Sequence, residues 1–131
     1  IKFLILALSF LSSEDYYKQE RFFYNHLVEK NDLLYRPFTN EPVYGDIYMY
    51  FLINNQRSEN VFLGLITKKG KQGHWTRYWD NGYKKDEGFY INSKKEGLWM
   101  EWKENGEKFA EIFYKNGKAT HLTNCIVNKC P

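Results

Sequence analysis

Residues 73–118 carry one pattern twice, 24 positions apart. Gly73 matches Gly97, and Trp75 matches Trp99. Asn81-Gly82 matches Asn105-Gly106, and Glu87 matches Glu111. Phe89-Tyr90 matches Phe113-Tyr114, and Asn92 matches Asn116. A fixed period of this size means a repeat architecture, in which each unit buries its apolar side chains against its neighbours. Such stacks build extended surfaces, which suit binding better than catalysis.

The period continues upstream in weaker form. Gly64 lies 24 before Gly88, and Lys71 lies 24 before Lys95. Gly45 and Tyr50 lie 28 before Gly73 and Tyr78. The four extra residues fit a hairpin tip at 53–60, where insertions are tolerated. The chain therefore reads as three repeats, about 45–72, 73–96 and 97–118, the first degenerate.

Short aromatic and β-branched runs between turn residues predict strands near 44–52, 60–67, 73–80, 83–91, 97–104 and 107–115. An earlier hairpin is predicted from 22–28 and 33–35 around a polar cluster at 29–32. Pro37 and Pro42 bracket a rigid turn. Asn81-Gly82 and Asn105-Gly106 are strong hairpin signals, read as two-residue loops. Longer links are expected at 68–72 and 92–96. The fold class is all-β, an antiparallel meander of eight or nine strands.

Two-residue loops fix a register. Arg77 would face Asp86, Trp75 would face Gly88 with the indole laid over the glycine, and Trp99 would face Ile112. Alternation then puts Trp75, Trp79, Tyr90, Trp99, Ile112 and Tyr114 on one side of the sheet. Tyr78, Phe89, Leu98, Met100, Trp102, Phe109 and Phe113 fall on the other. Both sides are partly apolar. Residues 22–67 are enough chain for a second layer over one side but hardly both, so the other is an exposed strip.

The chain has 131 residues, one domain's worth, here 14–131. A net charge of +3 argues against nucleic acid as the main partner. The charge is uneven: residues 14–67 hold 5 basic and 8 acidic side chains, and 68–118 hold 12 and 8. The opening IKFLILALSFLSS is too short and too quickly closed by serines to be a membrane-spanning helix. Residues 1–13 read instead as a truncated secretory signal, with a buried first element as the other reading. An exported chain would pair its two cysteines, Cys125 and Cys130, as a disulfide. With His121 they supply three zinc ligands, one short of a closed structural site, so no metal is expected. His26 and His74, the other histidines, stand beside no nucleophile. There is no phosphate loop, and no cofactor is expected.

Gly73, Trp75, Tyr78, Asn81, Gly82, Tyr90 and Asn92 are followed by Gly97, Trp99, Trp102, Asn105, Gly106, Tyr114, Asn116, Gly117 and Lys118. This series resembles the variant, bacterial MORN repeat, with Ser93 in a place usually held by glycine. The likeness covers roughly residues 27–118. It implies β-hairpin meanders, an export signal in many members, and a role as a scaffold or as a YwqK-like antitoxin. It implies no catalytic residue. The expected function is a non-enzymatic scaffold, secreted or in the cell envelope or periplasm. It would bind another protein through Tyr78, Phe89, Met100, Trp102 and Phe113. A wall-carbohydrate module and an antitoxin are the alternatives.

Overall fold

A computed structural model describes residues 20–125. Residues 1–13 and Cys130 lie outside that range, and with them the expected signal segment and one end of the expected disulfide. The described chain is almost all β. Its main sheet has eight strands: β1 (Arg21–Phe23), β4 (Gly45–Met49), β7 (Val61–Thr67), β8 (Gly70–Tyr78), β9 (Lys84–Ile91), β10 (Lys94–Trp102), β11 (Lys108–Lys115) and β12 (Lys118–Asn124). They stand side by side in chain order, and from β4 to β12 every neighbour is antiparallel. β1 is the exception, pairing parallel to β4 at one edge. Two small hairpins complete the fold: β2 (Val28–Lys30) with β3 (Leu33–Tyr35), and β5 (Leu52–Ile53) with β6 (Gln56–Arg57).

The register follows the expectation. Trp75 faces Gly88 and Arg77 faces Asp86, and Trp99 faces Ile112. The turns that set it are of another kind. Gly82 N–H donates to Trp79 O at 3.0 Å, and Trp79 N–H to Tyr83 O at 2.8 Å. Gly82 has φ +90°. The loop thus has three residues, a type I turn closed by a left-handed glycine, and the ladder shifts by one between Arg77 and Tyr78 to absorb the extra residue. The second unit repeats this at Gly106. The links expected to be long are tight. Thr67 pairs with Gly70 across Lys68-Lys69, and Ile91 with Lys94 across Asn92-Ser93, so β8 and β10 begin at Gly70 and Lys94, earlier than predicted.

The indole geometry corrects one detail. Trp75 does not lie over its paired Gly88 but over Gly64, on the strand to its other side. Trp99 lies in the same way over Gly88. A β-carbon at either glycine would collide with the ring, so only glycine admits the indole there. Trp75 Nε1–H donates to Leu65 O at 3.0 Å, and Trp99 Nε1–H to Phe89 O at 3.2 Å. The next positions in the period carry Ile112 in the glycine's place and Thr123 in the tryptophan's, and the stack ends there.

The core lies on the tryptophan side. Trp75, Trp99, Ile47 and Ile66 are fully buried, and Leu34 and Val43 join them from outside the sheet. The expected second layer is smaller than 22–67. Residues 21–23, 45–49 and 61–67 belong to the sheet itself, leaving chiefly 24–44 to cover its inner side.

Candidate functional site

Two surfaces of the sheet are candidates, and strand alternation builds both. On the outer side, Phe89 is 50%, Leu98 40% and Phe113 45% exposed; Phe109, assigned there by simple alternation, is the unpaired residue of the β10–β11 register shift. Leu98 faces Phe113 across the β10–β11 pair, and Phe113 in turn faces His121 on β12. Met100, half-buried, sits in register between Glu87 and Glu111. Those carboxylates are held by Lys84 at 2.7 Å and by Lys108 at 3.1 Å. Trp102 is half-buried, with Lys84 Nζ 5.5 Å from its ring centre. An apolar strip bordered by ion pairs results, the layout of a binding patch with a polar rim.

Of the five predicted binding residues, Phe89, Met100, Trp102 and Phe113 share this outer surface. Tyr78 departs from them. It stacks edge-on against Phe51 at 5.7 Å and packs on the core. The small loop around β5–β6 brings Phe51 there, a contact between insertion and sheet that strand alternation alone does not reveal.

The inner side carries a second arrangement that the sequence reading missed. Trp75, Tyr90, Trp99 and Tyr114 form a continuous edge-to-face series, at 6.3, 4.8 and 6.3 Å between successive rings. Two lysines lie along it. Lys71 is 3% exposed and pairs with Glu29 of β2 at 2.5 Å. Tyr24 O–H donates to the same carboxylate at 2.8 Å. Burial raises the Glu29 pKa, but the hydrogen bond and charge of Lys71, aided by Tyr24 and Arg77, outweigh it and hold the group below 4.5. Burial pushes Tyr24 and Tyr90 up to about 12. Arg77 grips Asp86, which is 4% exposed, through two hydrogen bonds, one of them from Nε at 2.8 Å. That contact raises the arginine's pKa further. Tyr24, Glu29, Lys71, Trp75 and Arg77 border a cleft of about 750 Å³ between the amino-terminal layer and the first hairpin.

The available signal for this site was the spacing of Lys71 and Lys95 with the tryptophans. It marks repeated positions but does not show what each lysine meets. Among the described residues no cluster of His, Cys, Asp and Glu is placed to hold a metal, and no helix is long and apolar enough to cross a membrane. His26 Nε2 lies 2.8 Å from the Tyr50 hydroxyl, a structural contact beside the small loop. No family model, no curated protein and no solved structure matches this chain.

Proposed function

We propose that the chain is a non-enzymatic repeat scaffold of the variant MORN type that binds another protein through its outer face, in the cell envelope or outside the cell. The observation that carries this reading is the row of Phe89, Leu98 and Phe113, each 40–50% exposed on three adjacent strands. Aromatic side chains left half in water supply large contact area at low entropic cost, and they dominate interface energetics once a partner covers them. The flanking Lys84–Glu87 and Lys108–Glu111 pairs supply the rim.

The test compares the full chain with a Phe89→Ser/Phe113→Ser double variant. A photo-crosslinker is placed at Leu98. Crosslinking to a defined protein, lost in the double variant while thermal stability is kept, is the expected result. Retention on wall polysaccharide with no protein crosslink would favour the carbohydrate module instead. A crosslink to a cytoplasmic toxin would favour the antitoxin reading.

A further inference from the structure

The two inner lysines occupy one site in two states. A shift of 24 residues carries Lys71, Trp75 and Tyr90 onto Lys95, Trp99 and Tyr114. At the first site a carboxylate is present. Glu29, carried on the β2–β3 hairpin, holds Lys71 Nζ at 2.5 Å. The ammonium then stands 5.4 Å from the Trp75 ring centre and 5.6 Å from that of Tyr90. At the second site Lys95 forms no ion pair among the described residues. Its Nζ rests closer to the rings, 4.1 Å from Trp99 and 4.9 Å from Tyr114. The difference has a direct physical cause: a carboxylate draws the ammonium off the rings, and without one the rings are its best partner. Burial lowers the pKa of Lys95 and outweighs the opposing influence of the Asp86 and Glu101 charges.

We propose that the Lys95–Trp99–Tyr114 site receives a carboxylate from an acidic, extended segment of a partner protein, seated as Glu29 of this chain's own hairpin is seated on Lys71. The chemistry is specified by the occupied copy. The donor is an Asp or Glu on a strand or hairpin. Apolar residues follow it closely, as Leu33 and Leu34 follow Glu29, with Leu34 fully buried. The neighbours differ between the sites: Glu101 and Ala110 stand in place of Arg77 and Asp86, so an incoming carboxylate finds no arginine beside it and must outcompete Glu101 for Lys95. The inference concerns the inner side and stands independently of the outer strip.

The test uses a peptide of residues 27–35 closed head to tail, titrated into the full chain while the indole N–H signals are followed by NMR. Saturable movement of the Trp99 signal is expected. It should weaken about tenfold or more when the peptide carries Glu29→Gln, because one partner of a desolvated charge pair is then lost. Lys95→Gln in the protein should weaken it similarly, whereas Phe89→Ser/Phe113→Ser should leave it unchanged. Three results would overturn the proposal: no saturable movement at Trp99, equal binding of the Gln peptide, or movement confined to Trp75, which would mean exchange with the chain's own hairpin. The peptide arm leaves the protein unaltered, so it decides the matter even if Lys95→Gln unfolds.

Discussion

Phe89 and Tyr90 are adjacent in sequence, similar in size and repeated together as Phe113 and Tyr114, yet they meet opposite fates. Tyr90 is 8% exposed between two indoles, whereas Phe89 is 50% exposed. The two sides of the sheet differ in the same way throughout. The inner side spends its aromatics on holding the stack together, each indole pressed on the glycine of the preceding unit. The outer side sets its aromatics among ion pairs and leaves them half in water. Residue type therefore does not separate buried from exposed aromatics in this chain; the parity of the position along the strand does.

The largest effect should come from the inner side. Trp99→Ala removes a fully buried ring and one hydrogen bond, and is expected to cost about 3–5 kcal/mol in denaturant melts. A loss well below 1 kcal/mol would show that the indole is not a structural post. Gly88→Ala comes next. Its methyl group has no room against the Trp99 indole, so a cost of about 1–3 kcal/mol is expected, with the Trp99 fluorescence altered. Stability unchanged by this variant would break the proposed seating of indole on glycine.

Glu29→Gln should act more weakly and in a pH-dependent way. The folded carboxyl titrates below its ordinary 4.5, so its contribution is complete above that value and is lost as pH falls through the lower folded value. The variant should be less stable than the parent by on the order of 1 kcal/mol near neutrality, and the two should converge in acid. A gap that stays constant from neutrality into acid would show that the carboxylate charge is not what matters. Smallest of all, Phe113→Ser on the outer side should shift stability by no more than about 0.5 kcal/mol while reducing partner capture. Trp102→Ala should behave likewise, and unfolding on that change would move Trp102 into the core.

Much of the sheet was legible because period and register are local matters. Once Trp75 and Gly88 are taken as partners, every other side chain on both strands is assigned to a side. The loop type was less legible. An Asn-Gly pair serves either a two-residue turn or the end of a type I turn with a left-handed glycine, since both need positive φ at the glycine. The second form prevails here, with Asn81 Oδ1 accepting from Tyr83 N–H at 3.1 Å. Asn92-Ser93 gave little warning of a tight turn. Its serine is held in the left-handed region by bonds to another strand: Ser93 N–H donates to Lys71 O, and Ser93 Oγ accepts from Lys71 N–H, each at 2.9 Å. Such a partner, 22 residues away, is not visible to a local reading. β12 also went unforeseen, because its run of Lys118 to Asn124 is polar and mostly exposed, as suits an outermost strand.

The change from glycine to isoleucine at position 112 also works as a stop signal for growth. A polymer whose links are identical has no preferred length, and a chain that pairs each indole with a glycine one unit back could in principle be extended by gene duplication indefinitely. Ile112 fills the socket that a further indole would need, and Thr123 offers no ring to fill one. Units added internally, between residues 96 and 97, would meet an intact socket on one side and an intact indole on the other. Units added after 124 would meet neither. A unit inserted within the array thus keeps both contacts, whereas one joined after 124 keeps neither.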